Sequence, residues 1–452
     1  MTPAIGFYGD DFTGSSDNLA QYGRNGLSGM LFFDPADREA VQRHVRDLDV
    51  VGFAGIGRSL PEEALGEELR GAFDALASLR PRLVQYKVCS TFDSSRAAGN
   101  FAVALREARR QWPGCAVPVL AAVPDFGRYT VFGNHFAVHR GEVFRLDRHP
   151  SMSRHPVTPM KEASLRAHLA DLGEPGAHLV DVLALGAGRE AARRAVSEAF
   201  AKGDQAVVLD TLTEDHLRLA AELVWELSAS RPVFALAAQG LSHGLGQHLS
   251  RGRGDGSGGR EAVEQVLVLS GSCAPQTAIQ IAHAEAAGYQ VLSVDVPRLV
   301  QGDAAQVEQD LLGRAAAALH RGASVVICTA RGPDDPAVAT ARTAVERAGL
   351  GSEGLARSIG QLYARIFKAL ASAAGLRRTV FAGGDTSSYA MRASGAYALS
   401  ITSTDFHESA HLCRLHAEDP VLDGAQVLLK GGQAGSDAFM VEARRERSAR
   451  LQ

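Results

Sequence analysis

The sequence predicts an α/β protein of two domains, each a largely parallel sheet flanked by helices, with some antiparallel strands in the N-terminal domain. Three observations carry this. Short apolar runs of about four to seven residues alternate with longer amphipathic stretches along most of the chain, the rhythm of βαβ units. The length, 452 residues, is roughly twice the size at which a single core stops growing. Finally, Arg251–Arg260 reads Arg-Gly-Arg-Gly-Asp-Gly-Ser-Gly-Gly-Arg, a polar run that buries no core and suits a linker. The expected organisation is residues 1–250, a linker over 251–262, and residues 263–452.

In the first domain the apolar runs place strands at Ala4–Tyr8, Gly29–Phe33, Val50–Ala54, Leu83–Val88, Val117–Val123, His178–Val182, Ala206–Leu209 and Val233–Ala237, with helices such as Glu62–Leu79 between them. Tyr129–Leu146 breaks the rhythm. Its alternating aromatic and polar residues around Gly133-Asn134 and His139-Arg140-Gly141 predict paired antiparallel strands, followed by a loop over Arg148–Met160. The second domain reads as strand Val266–Leu269, a helix from Ala274 to Ala287 stopped by Gly288, then strands Gln290–Val294, Val325–Thr329, Thr379–Ala382, Ala396–Ile401 and Val427–Leu429. His407, His411 and His416, spaced four and five apart, read as a solvated helix face.

Composition narrows the function. Apolar residues make up 46% and charged residues 22%, ordinary for a globular protein. The formal charge of −4 is spread along the chain, which argues against a nucleic-acid or membrane surface. Cys89, Cys115, Cys273, Cys328 and Cys413 form no CxxC pair, so reduced thiols in a cytoplasmic protein are expected rather than zinc or disulfides. Met1 runs straight into a strand and no apolar window approaches about 18 residues, so neither secretion nor membrane spanning is expected.

Three segments of the first domain follow strands, where open α/β sheets bind ligands. In Gly9-Asp10-Asp11-Phe12-Thr13-Gly14, adjacent residues leaving a strand point different ways, so one carboxylate faces a cleft while the other caps the following helix; which does which stays open, and a plain capping pair is the alternative. Arg58, in Gly55-Ile56-Gly57-Arg58-Ser59, suits bidentate binding of a substrate carboxylate, a solvated surface arginine being the alternative. Lys87-Val88-Cys89-Ser90-Thr91-Phe92-Asp93-Ser94-Ser95 gathers a cation, an anion and four hydroxyls, unless Asp93 or Ser94 merely caps a helix. Cys89 there reads as a lining thiol rather than a nucleophile, having no identifiable basic partner.

The second domain repeats one arrangement three times. Ser270-Gly271-Ser272-Cys273 runs from a strand into a helix with Pro275 in its first turn. In Gly383-Gly384-Asp385-Thr386-Ser387-Ser388 the glycines let a phosphate approach the backbone, and Asp385 or Thr386 caps the next helix. Lys430-Gly431-Gly432-Gln433-Ala434-Gly435 adds a cation suited to phosphate. Three such loops point to a nucleotide, although neither a GxxxxGK(S/T) loop nor a GxGxxG turn after a strand is present. No histidine pair has metal-ligand spacing: His149 and His155 flank prolines, and His243 and His248 sit five apart. No metal ligand is assigned.

Taken in order, these segments resemble the four-carbon acid sugar kinase family, whose members begin with an ADDFTGA-like run and carry KxCSTFDS-, SGSC- and GGETS-like segments. The resemblance spans about Ile5 to Gly435 and includes Phe144–Pro150 and Met152–Met160. It implies that the N-terminal domain binds a sugar acid through Asp10 or Asp11, Arg58 and Lys87–Ser90, extending to Thr91 and Asp93. It also implies that the C-terminal domain binds ATP, with Mg²⁺, through Ser270 or Ser272, Gly383–Thr386 and Gly431–Gly435. Asp385 stands where the family commonly has Glu, and the Lys430–Gly435 loop replaces a KSGNFG-like one.

The implied reaction phosphorylates a terminal hydroxyl of threonate, erythronate or a 3-oxo-tetronate, or alternatively of branched 3-oxo-isoapionate. Asp10 or Asp11 would act as base, Lys87 as charge stabiliser and Arg58 as anchor of the acid. The expected partner is this small molecule, with a homodimer allowed and neither nucleic acid nor membrane involved. A dehydrogenase would need a dinucleotide fingerprint, which is missing. A non-enzymatic two-lobed sugar-acid binder would have no use for three glycine loops.

Overall fold

The computed structural model describes residues 2–154, 158–203, 205–252, 262–407 and 410–444. The chain divides into two compact units, Met1–Gly254 and Asp255–Gln452. Residues 253–261 of the expected linker, and His155, lie outside the described residues.

The first unit contains β1 (Ile5–Gly9), β2 (Gly29–Phe32), β3 (Val50–Ala54), β4 (Leu83–Lys87), β5 (Pro118–Leu120), β6 (Arg128–Val131), β7 (Asn134–His139), β8 (Glu142–Arg145), β9 (His178–Val180), β10 (Val207–Leu209) and β11 (Phe234–Ala237). Eight of these run in the order β2-β3-β1-β4-β11-β5-β10-β9 with every neighbouring pair parallel. Strands such as Ile5–Gly9 and Leu83–Lys87 are buried throughout, as a parallel sheet covered on both faces requires. Helix Phe12–Gly23 packs on Gln239–His248, whereas Glu62–Leu79 packs on Phe101–Gln111. Right-handed crossovers put these pairs on opposite faces. The chain reaches β3 by way of β2 on one side of β1, then crosses to β4 on the other. The winding therefore reverses at β1 and β4, and their carboxyl ends open the crevice where such sheets bind ligands.

Antiparallel strands form over Tyr129–Leu146 as expected, in the order β6-β7-β8, above a small core of Ala137, Leu146, Met160 and Ala163.

The second unit contains β12 (Leu267–Ser270), β13 (Gln290–Ser293), β14 (Val325–Cys328), β15 (Arg378–Ala382), β16 (Ala396–His407), β17 (Ala410–Ala417) and β18 (Gln426–Lys430). Their order is β13-β14-β12-β15-β18-β17-β16. The first five are parallel and the last two join antiparallel. The winding of β1 to β4 is thus repeated by β12 to β15, with its reversal at β12 and β15. Val268, Ile281, Val326, Val380, Leu428 and Phe439 belong to its core.

Antiparallel pairing occurs in the second unit as well, at β16 and β17, and one expectation is corrected there. His411 and His416 lie on β17 and not on a helix, His407 ends β16, and His411 is buried. The histidine spacing suggested a helix stripe, while Leu412, Cys413 and Leu415 fail to alternate with polar residues. Among the described residues no helix is long and apolar enough to cross a membrane.

A buried polar knot holds β4 to both helices behind it. Gln85 Nε2 donates to the carbonyls of Ala237 and Ala238, each at 3.2 Å, and its Oε1 accepts from Ser242 Oγ at 2.8 Å and Asn18 Nδ2 at 3.3 Å. All three side chains are fully buried. Gln85→Leu, which removes partners from enclosed polar groups, is expected to lower stability by about 2–3 kcal/mol, read as a lower urea midpoint.

Candidate active site

β1 ends at Gly9, and the Asp10 N–H donates to Lys87 O at 3.0 Å, so Asp10 emerges at the reversal between β1 and β4. Asp11 is extended and caps helix Phe12–Gly23, its Oδ1 accepting from Gly14 N–H at 3.1 Å. Arg58 lies in the turn after β3, its own N–H bonded to Asp10 O at 3.1 Å. Its Nε and Nη2 donate to Asp10 Oδ2 at 3.2 Å and Oδ1 at 2.8 Å, and Nη2 also reaches Asp11 Oδ1 at 3.0 Å. The open question about the pair thus has an answer: Asp11 caps, and Asp10 is the carboxylate held in the arginine fork. Arg58 as a free anchor for the acid is corrected by the same contacts, because the aspartates occupy its guanidinium.

Asp10 is almost wholly enclosed, and burial raises its carboxyl above the usual carboxylate range; Arg58 opposes the rise and the Asp11 charge adds to it. Lys87, the last residue of β4, is equally buried. Its Nζ and the Asp11 carboxylate converge over Gly14: a Cβ there would lie 2.8 Å from the ammonium and nearer still to Asp11 Oδ1. Any side chain at this position would have to push the ammonium or the carboxylate aside.

The loop after β4 begins with Val88, whose N–H donates to Ala237 O at 3.0 Å. Cys89 and Ser90 are partly exposed, and burial pushes the Cys89 thiol up, keeping it protonated. Thr91 donates to Asp93 Oδ1, and Thr158 donates to Asp93 Oδ2 at 2.7 Å. Asp93 is buried inside the loop and shapes it; neither Asp93 nor Ser94 caps a helix, since Asn100 caps Phe101–Gln111. Phe92 adopts a left-handed φ of 52°, uncommon for a non-glycine residue, and is held there by packing against Phe101 and His168.

Arg128, at the start of β6, is a residue that sequence reasoning missed. Its Nη1 donates to the carbonyls of Phe126 at 2.8 Å and Gly127 at 3.3 Å, and it pairs with no carboxylate among the described residues. Nothing in Gly127-Arg128-Tyr129 distinguishes it from the many other arginines. His243, which has no metal spacing in sequence, stands with Asp125 and Glu214 in a group whose ligand atoms lie within 4.8 Å of one another.

In the second unit Ser270, Ala382 and Lys430 are register partners on β12, β15 and β18, so all three glycine loops leave one row of the sheet, at its reversal. Ser270 Oγ is buried without a partner. Gly383 has φ 118°, and a Cβ there would sit 3.2 Å from Ser272 N. Helix Gly384–Ala393 starts with no side-chain cap, so the expected cap by Asp385 or Thr386 is corrected and its first N–H groups stay open to an anion. Thr386 is buried beside Gly271, and Asp385 is exposed in the first turn. Ser272 Oγ bonds Thr277 Oγ1 at 3.0 Å, Thr277 in turn donates to Gly432 O at 2.8 Å, and Gly435 O accepts from Gln276 at 3.0 Å, which ties the last loop to helix Pro275–Ala286.

Lys430 is corrected as a direct phosphate ligand. Its buried Nζ donates to Thr277 Oγ1 at 3.2 Å, Gly431 O at 2.9 Å and Gly432 O at 3.3 Å, folding the loop around its own ammonium. Lys430 thereby sets the shape of the Gly431–Gly435 loop.

Each unit thus presents a ligand edge, one built of carboxylates and cations, the other of glycine loops and hydroxyls, which defines a two-domain α/β protein made to bind two small molecules. Residues 5–245 match the family model of a sugar-binding N-terminal domain and residues 267–440 that of a nucleotide-binding C-terminal domain. The chain belongs to the four-carbon acid sugar kinase family. It is 38% identical to a 3-oxo-isoapionate kinase of Paraburkholderia graminis, over 98% of this chain and 95% of that protein. It is 30% identical to a 3-oxo-tetronate kinase of Methylobacterium radiotolerans, over 86% and 87%. A solved Salmonella typhimurium structure described as a putative tRNA synthase shares the fold, with a TM-score of 0.76 at 22% identity over 99% of this chain and all of that one.

Burial pulls the Lys430 ammonium down to about 8 from 10.5. Because the unfolded chain then holds more protons between these values, Lys430 adds stability as pH rises through about 8 to 10.5. The destabilisation caused by Lys430→Met, measured against wild type by urea unfolding, is expected to grow across that window by roughly 3 kcal/mol.

Proposed function

We propose that this protein is an ATP-dependent kinase that phosphorylates a hydroxyl of a small 3-oxo or simple sugar acid, with Asp10 as the general base. The observation that carries the reading is Asp10 itself: a buried carboxylate at the winding reversal, gripped by Arg58 on the edge that bears Lys87. The names of the relatives support a kinase of sugar acids.

The second unit's loops fit a nucleotide. They combine an uncapped helix start, a buried Ser270 hydroxyl with no partner among the described residues and a Gly383 backbone at positive φ packed closely on Ser272. Gly383–Thr386, Ser270–Ser272 and Gly431–Gly435 would hold the triphosphate through backbone N–H groups and hydroxyls. ATP supplies the phosphoryl group, and Mg²⁺ offsets its charge. Asp385 is the one carboxylate of these three segments and would be the residue to hold the metal.

On the sugar side Arg58 fixes the plane of Asp10, leaving the carboxylate to accept the substrate's hydroxyl proton. Lys87 balances the pair of aspartates, and Asp11 holds the helix start that positions both. Cys89 and Ser90 offer the partly exposed surface of the loop. The five cysteines are free thiols, which suits the cytoplasm. The 38% likeness to a 3-oxo-isoapionate kinase favours the branched acid as a substrate to test beside threonate, erythronate and 3-oxo-tetronates.

A coupled ADP-release screen over these acids tests the reading; no ADP from any of them would overturn it. With a turned-over acid, Asp10→Asn is expected to lower kcat by about 10²–10⁴-fold. Asp11→Asn should have a smaller effect on kcat, because asparagine still caps a helix. Since the Arg58 charge lowers the Asp10 pKa, Arg58→Met should move the acid limb of the kcat/KM profile to higher pH. An unmoved limb would remove Asp10 as its source.

A further inference from the structure

A sugar acid needs a cation for its carboxylate, and the aspartates occupy Arg58. Resting on the kinase reading above, we infer that Arg128 binds the carboxylate of the substrate, side-on through its Nε and Nη2 edge.

The arginine is held by its backbone and by one nitrogen. Its N–H donates to Val123 O at 3.1 Å and its carbonyl accepts from Val123 N–H at 3.0 Å, which fixes the start of β6 to the segment leaving β5. Nη1 bonds the carbonyls of Phe126 and Gly127, which orients the plane of the guanidinium. Nε is enclosed yet has no hydrogen-bond partner, and among the described residues Nη2 has none either. These two nitrogens form the edge that grips a carboxylate with parallel hydrogen bonds. A largely buried guanidinium without a counter-ion is disfavoured by desolvation, and a bound carboxylate would relieve this.

Among the described residues no side chain pairs with Arg128 to supply that counter-charge. His135 and His149 both feel the Arg128 charge and are held below the usual imidazole range, burial being the larger cause, so they stay neutral. His135 also fixes the distance between Arg128 and the loop after β4. Its Nε2 donates to Ser90 O at 2.8 Å and its Nδ1 accepts from Thr130 Oγ1 at 3.0 Å, linking β6 to that loop. The Cys89 thiol lies within electrostatic reach of Arg58 and Lys87 as well as of Arg128. The partly exposed Cys89–Ser90 stretch is thus neighboured by Arg128 as well as by the Arg58 and Lys87 cations of the Asp10 cluster, so a short substrate lying along it could meet both.

The test compares a turned-over sugar acid with its carboxamide in the ADP-release assay, using wild type, Arg128→Ala and Arg128→Lys. Wild type should prefer the acid. Arg128→Ala should lose about 30- to 300-fold in kcat/KM for the acid, keep its activity on the amide to within about threefold, and leave the KM for ATP unchanged; Arg128→Lys should fall between. Preserved amide turnover also shows that the variant is folded. If Arg128→Ala still prefers the acid, or both variants lose acid and amide equally, the inference is overturned while the kinase reading stands. If wild type neither releases ADP with any sugar acid nor is stabilised by one in thermal unfolding, both fall together.

Discussion

Everything in this structure depends on the handedness of the crossover between parallel strands. Because each crossover is right-handed, a sheet that grows first to one side of its starting strand and then to the other must place its helices on opposite faces. A gap opens at the carboxyl ends where the direction changes. Here that happens twice, beside β1 and again beside β12, and the chain puts its chemistry-bearing residues at both places. Register completes the arrangement: Gly9 pairs with Ala54 and Lys87, and Ser270 with Ala382, itself paired with Lys430, so loops far apart in sequence leave from one row.

Within the first row the Asp10–Arg58 pair sets the electrostatics. Two carboxylates side by side in a buried place repel, and the guanidinium that grips both makes the arrangement stable. Lys87 adds a second cation over Gly14. Such a cluster uses its cations internally, so under the proposed reading the cation for the sugar acid comes from a neighbouring element.

Much of this was legible in the sequence, and the divide between what was and was not is physical. Val50–Ala54 and Glu62–Leu79 were read to the residue because a fully buried strand and an amphipathic helix each carry their own periodicity. The loops were found because glycine, aspartate and serine after an apolar run have few other uses. The roles inside them were harder. Arg58 and Lys430 were picked out as charged groups at or just past strand ends, but whether such a group faces a ligand or its own backbone is decided by tertiary contacts that no local pattern encodes. β17 was missed because Ala410–Cys413 are buried on both faces, which erases alternation over its first half. Arg128 was missed because its distinction is a guanidinium that meets no carboxylate among the described residues, a property of the folded chain alone.

Gly14 carries a consequence for how sequence variation in such proteins is interpreted. An ammonium and a carboxylate crowd the space of its missing side chain, so a larger residue must push one of them aside and disturb the charge cluster without itself carrying a charge. Variation at this position would then be read through the charges above it, and a mutational map would trace the shape of the cluster as well as its chemistry.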